Sequence, residues 1–185
     1  MTFTTVRSLA FAAALVGAAA TPAAAQIAPL TPGQPYHQTI AINAVGLPFG
    51  LFSGDVERAV SPAMTISLGG TAVNWGDGEW AHWVDLKGLY YPGEEALKGF
   101  AVGMTLGYHA EQDNGPLFGS YDEKRKDSGA TLGVVLDYNW LLGKRQRFLV
   151  GLGVGAKRVL KNVDEDNSPL TQVLPSGRFS IGLAF

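Results

Sequence analysis

Residues 178–185 read Arg-Phe-Ser-Ile-Gly-Leu-Ala-Phe, with large apolar side chains at every second position: Phe179, Ile181, Leu183 and Phe185. Ser180, Gly182 and Ala184 fill the gaps. A period of two gives a strand unlike faces. In a soluble sandwich such a strand would be an adhesive edge. In a membrane barrel its apolar face meets lipid, and closure pairs both of its edges. The stretch also ends on an aromatic residue, with no polar tail.

The same alternation recurs upstream. Residues 147–160 set Phe148, Val150, Leu152 and Val154 against Gly151, Gly153, Gly155 and Lys157. Residues 129–141 set Leu132, Val134, Leu136, Tyr138 and Trp140 against Thr131, Gly133, Asp137 and Asn139. Further runs fall at 99–111, 81–91, 64–73, 51–60 and 39–45, each bounded by turn residues. With the last strand they make eight. The expected fold is all-β: one eight-stranded antiparallel up-and-down transmembrane β-barrel over residues 39–185.

Composition agrees. The chain has 185 residues, a net charge of −2 and 46% hydrophobic residues. It is not basic enough for a nucleic-acid binder. After the N-terminal segment no apolar run is long enough for a membrane helix. The 24 glycines fall mostly inside the alternating runs, which suits a crowded barrel interior. The absence of cysteine excludes thiol catalysis, cysteine metal sites and disulfides.

Residues 1–25 read as a secretory signal peptide. Arg7 is the charged start, an apolar stretch follows, and Ala23-Ala24-Ala25 offers the cleavage site. Residues 26–38, with Pro29, Pro32 and Pro35, read as a Pro-rich periplasmic linker. Short turns around Pro62, Pro92 and Lys144 are expected to alternate with longer loops around Asp77, Asp122 and Asp164, the two longest being 112–128 and 161–175. Short periplasmic turns and long outer loops are the asymmetry of outer-membrane barrels. Tyr90, Tyr91, Tyr138, Trp140, Phe148 and Phe185 fall near the expected periplasmic ends, as an aromatic girdle would.

On the segments 86–95 (Leu-Lys-Gly-Leu-Tyr-Tyr-Pro-Gly-Glu-Glu), 136–144 (Leu-Asp-Tyr-Asn-Trp-Leu-Leu-Gly-Lys) and 174–185, the chain resembles the small eight-stranded outer-membrane β-barrel proteins of Gram-negative bacteria, of the OmpA/OmpX type. Within them it is similar to an uncharacterised family of such barrels. The resemblance implies an outer-membrane location, reached through a Sec-type signal peptide. It also implies contact with outer-membrane lipid and lipopolysaccharide. The terminal Phe185 resembles the signal read by the barrel-assembly machinery. A monomer without nucleic-acid partners is expected.

If the large apolar residues face lipid, the opposite parity faces inward. That set holds Asp55, Glu57, Asp85, Lys87, His109, Glu111, Asp137, Asn139, Lys157 and Arg178. An Arg or Lys on the lipid face at the midplane would cost roughly 2–4 kcal/mol. The expected result is a plugged polar lumen whose charges pair with one another, in a structural role. Arg58 and Arg158 break parity near strand ends, where they can snorkel.

No catalytic constellation is expected. Lipid A deacylases set Ser, His and an acid on such a barrel. Here none of His37, His82 and His109 is followed by serine two residues on. His109 shares a face with Glu111, which could orient its ring, but that face is the lumen. The acidic run at 164–167 lacks the spacing of a calcium loop. The glycines at 151, 153 and 155 have no helix after them, against a dinucleotide site. No metal or cofactor is expected. The reading is a structural or surface-interaction barrel, with a lipid-modifying enzyme or a narrow porin-like channel as alternatives. A soluble lipocalin-like barrel would need the apolar face inside, which a glycine- and charge-rich interior face does not suit.

Overall fold

Wherever the alternating pattern runs, the chain extends. The computed structural model describes residues 36–76, 79–113, 125–160 and 173–185, with side chains at all of these except 49, 74–76, 79, 111–113 and 125–127. The expected signal peptide and residues 26–35 of the linker lie outside the described residues. Among the described residues there are eight strands: β1 (Gln38–Asn43), β2 (Leu51–Ser61), β3 (Met64–Gly76), β4 (Glu79–Tyr90), β5 (Gly99–Asp113), β6 (Arg125–Leu142), β7 (Phe148–Leu160) and β8 (Val173–Ala184). Each pairs antiparallel with the next, and β8 pairs with β1 to close the barrel.

The register fixes the barrel's geometry. Val150 on β7 pairs with Ile181, and the rungs run on through Ile42, Gly54, Gly70, Val84, Tyr108 and Ala130. They return to β7 at Leu160, ten residues beyond the start. A stagger of ten on eight strands tilts them by about 40° from the axis. The interior is then just wide enough for side chains.

Both ends of the cylinder are distinct. The terminal end carries Gln38, Phe185 and the β2–β3, β4–β5 and β6–β7 connections. Here the N–H groups of His37 and Gln38 donate to the Phe185 carbonyl at 3.2 and 3.0 Å. The Tyr36 hydroxyl donates to the Arg145 carbonyl at 2.6 Å, and the Arg147 guanidinium lies 5.8 Å over the Tyr36 ring. The opposite, loop end carries the remaining connections.

The outer wall is apolar all round. Ile66, Leu68, Leu86, Met104, Leu106, Leu132, Val134, Leu152 and Leu183 are all exposed on it. Among the strand residues whose side chains are described, only Arg58 and Arg158 carry charge with outward parity.

Several boundaries differ from the sequence expectation. β1 stops at Asn43 rather than at 45. Asn43 Oδ1 accepts from the N–H groups of Val45 and Phe179, each at 3.3 Å, while the Ala44 N–H donates to the Phe179 carbonyl at 2.8 Å, so the side chain takes over one bond of the next rung. The connection expected to be a long loop around Asp77 is short: Gly76 pairs with Glu79, leaving only Asp77 and Gly78, outside the described residues, between the strands. Asp-Gly is a strong two-residue hairpin signal, and it outweighs the rule that outer connections are long. The loop expected at 112–128 narrows to 114–124, because β5 and β6 pair up to Asp113 and Arg125. The one expected at 161–175 ends where β8 starts, at Val173. Conversely, the β4–β5 connection at the terminal end runs over residues 91–98, longer than a tight turn.

Close approach at the seam gives a test. A Cβ on Gly182 would run into the Ile40 carbonyl and the Ala41 backbone of β1, whereas one on Gly88 meets nothing within 4 Å. Gly182→Val should cost roughly 1–3 kcal/mol or more by overpacking the closing pair, and Gly88→Ala should be neutral. Urea titration in detergent micelles, followed by tryptophan fluorescence, measures both.

Candidate functional site

The interior is built in layers, and strand parity decides what each strand contributes. At the terminal end the layer is dry. Ala59, Leu89, Tyr91, Ala96, Leu97, Ala101 and Leu149 are each buried to within about one per cent of complete.

Above it lies a buried carboxylate. The Thr65 hydroxyl and the Tyr91 hydroxyl both donate to Glu57 Oε1 at 2.6 Å, and Asn139 Nδ2 donates to the Tyr91 oxygen at 3.0 Å. Tyr91, just past the end of β4, is therefore not part of the outer girdle. Its ring points inward because the chain turns in at the end of β4. Burial raises its phenol well above the usual range, and Glu57 pushes the same way. Tyr91 thus stays neutral and remains a donor.

The next layer holds the ion pairs, and they cross the lumen. Arg178 on β8 donates through Nη1 to Asp137 on β6 at 3.1 Å and through Nη2 to Asp55 on β2 at 3.2 Å. Lys157 on β7 meets Asp85 on β4 at 2.5 Å, and Thr105 donates to the other Asp85 oxygen at 3.5 Å. None of these ionic partners lies on adjacent strands. Through Arg178 the opposite strands β2 and β6 are tied together, and Lys157–Asp85 ties strands three apart. Glycines make the room: a Cβ on Gly153 would strike the Asp137 carboxylate, and one on Gly107 the Asp85 carboxylate and the Thr131 hydroxyl.

Not every inward group finds a partner. Lys87 faces inward with no hydrogen bond or ion pair to the described residues. The Oγ atoms of Ser67 and Ser180, Thr39 Oγ1, Thr131 Oγ1, Glu57 Oε2, Asn139 Oδ1 and Arg178 Nε are buried without a partner among the described residues. Such groups are normally met by water. Towards the loop end a cavity of about 130 Å³ opens among Ser53, Asp55, Thr71, Lys87, Lys157 and Arg178. That is room for several water molecules.

His109 is buried nearer the loop end, and its Nδ1–H donates to the Gly129 carbonyl at 3.2 Å. That bond orients the ring. Glu111 pairs in β5 by its backbone, and its side chain lies outside those described. His82 has outward parity and stacks 4.9 Å from Trp80. No group of three metal-binding side chains occurs among the described residues. The acidic run at 164–167 lies outside them.

On the outside of the terminal end, Tyr90, Tyr138, Trp140, Phe148 and Phe185 are exposed. Tyr138 and Trp140 stack at 4.5 Å. Phe100 stands beside Tyr138 in register and is equally exposed, though the sequence reading passed over it. Its outward parity with Val102 and Met104 was the available signal.

Breaking one brace should be worse than removing it. The Lys157 and Asp85 side chains are only 16% and 11% exposed. Lys157→Met alone leaves Asp85 uncompensated and should destabilise the barrel by roughly 3–5 kcal/mol. Adding Asp85→Leu should recover most of that. A double-mutant cycle from urea titrations in micelles measures the difference.

No protein-family profile matches the chain, and no curated protein sequence matches it. Among solved structures it is similar to the N-terminal β-barrel domain of Pseudomonas aeruginosa OprF, at 10% identity and a TM-score of 0.55. The match covers 81% of this chain and 98% of that one. At that identity the likeness is one of fold, that of a closed β-barrel, here of eight antiparallel strands.

Proposed function

We propose that this chain is an integral outer-membrane barrel, with the terminal end in the periplasm and a lumen closed to bulk solute. Its role is structural or interactive: it braces the membrane and presents the loop end to lipopolysaccharide or an external partner. One observation carries the reading. Apolar side chains are exposed around the whole wall, while the charged ones cross the interior. Exposed apolar surface on that scale is not tolerated by a soluble monomer, and hydrocarbon solvates it. The likeness to the OprF barrel supports the same setting.

The outward cations fit this placement. Arg158 is exposed near the loop end of β7, where it would reach lipopolysaccharide phosphates. Arg58 lies near the terminal end of β2, within snorkelling distance of the inner interface. The aromatic ring of Tyr90, Phe100, Tyr138, Trp140, Phe148 and Phe185 would mark that interface.

A hydrolase is the weaker reading. His109 is spent on a backbone carbonyl inside the barrel, away from any lipid. A narrow small-solute path has one observation in its favour, the cavity towards the loop end.

In cells the chain should fractionate with the outer membrane, and unboiled samples should migrate differently from boiled ones on a denaturing gel. A soluble fraction with no heat shift overturns the proposal. Removing residues 115–123 and 162–171 should leave the heat shift intact, since both lie between strands. Lipid A acylation should be the same with and without the protein; a lost or gained acyl chain would favour the enzyme.

A further inference from the structure

The β4–β5 connection differs from its neighbours. In the β2–β3 and β6–β7 turns, Pro62 and residues 143–147 are exposed. In the β4–β5 connection, residues 92–95 are exposed but Ala96 and Leu97 turn inward and pack on Ala59, all three completely buried. The Ala96 N–H donates to the Pro62 carbonyl at 2.8 Å, and the Tyr91 N–H to the Ala63 carbonyl at 2.7 Å. The Tyr91 ring packs with Leu89, Ala101 and Val135 and reaches Glu57 through its hydroxyl.

The backbone here is strained. Leu97 has φ of 71° and Glu94 of 55°. Bulky residues avoid this left-handed region. A residue held there persists only where its surroundings over-determine it. What holds Leu97 is its seat in the mouth of the barrel.

We propose that this connection is a built-in stopper. Leu97 and Ala96, latched by the Tyr91–Glu57 hydrogen bond, close the terminal mouth, and the ion-paired belt above is a wet vestibule open towards the loop end. The proposal rests on the membrane-barrel reading but moves the seal from the charges to a turn. A dry apolar constriction blocks ions by excluding water. The belt, whose Asp55, Asp85, Asp137, Lys157 and Arg178 line the cavity, does not have that character.

Planar-bilayer conductance of the full chain tests this. The native protein and Asp137→Asn, which weakens the belt alone, should be silent. Leu97→Gly suits the left-handed backbone and removes only the stopper's side chain. Combined with Tyr91→Phe, it should give steady steps at least tenfold above the native background. Silence from that variant, or steps from Asp137→Asn, overturns the proposal. The heat shift on gels is read for each variant, so loss of the barrel itself is seen separately.

A second measurement needs no altered stopper. The chain has no cysteine, and Ser176 lines the cavity. In vesicles, Ser176→Cys should react with a small charged methanethiosulfonate added on the loop side and not on the terminal side. Reaction from the terminal side, or from neither, overturns the proposal.

Discussion

β1 holds the cylinder shut with six residues. It pairs with β8 from Thr39↔Ala184 to Asn43↔Ser180, and with β2 from Gln38↔Arg58 to Ile42↔Gly54. Without those rungs the sheet would have two open edges, and an open edge in hydrocarbon leaves donors and acceptors with nothing to bond. The seam is reinforced where it matters most. The Phe185 N–H donates to the Gln38 carbonyl at 2.9 Å, and the Gln38 N–H to the Phe185 carbonyl at 3.0 Å. Glycine at 182 lets the two backbones approach.

Closure sets the stagger, and the stagger sets which charges meet. Arg178 lies between Asp55 and Asp137 only because β8 is tilted so that its middle faces the middles of β2 and β6. Buried ion pairs contribute little net stability against an apolar replacement. Their geometry instead resists flattening of the cylinder, since the Asp55–Arg178–Asp137 bridge ties the opposite strands β2 and β6. The terminal end is organised on a different principle, by packing of Leu89, Ala96, Leu97 and Leu149 with a single latched carboxylate.

The fold was legible in the sequence because alternation over eight runs leaves few alternatives. Strand ends were less legible. Asn43 takes over a ladder bond through its side chain, and only Asp77 and Gly78 separate β3 from β4, both local signals hidden by the expectation of long outer loops. Alternation is also blind to depth and to partners. It cannot say that Lys157 reaches Asp85 three strands away while Lys87, next but one to Asp85, finds no partner among the described residues. Nor does it reveal an inward turn. Two apolar residues, Ala96 and Leu97, inside a connection expected to meet water were the sign, and Tyr91 was mistaken for a girdle residue because only its neighbour Tyr90 faces out.

The closing rungs join nearly the first described residues to the last, so the most sequence-distant contacts in the chain are also the indispensable ones. Contacts of that kind form late, because the loop entropy they cost is offset only when both partners are already in place. A half-zipped sheet would have no comfortable solvent: water rejects its wall and lipid rejects its edges. Such a molecule has little to gain from partial order, and its assembly should behave as a single cooperative event in which the two ends of the chain are the last to meet.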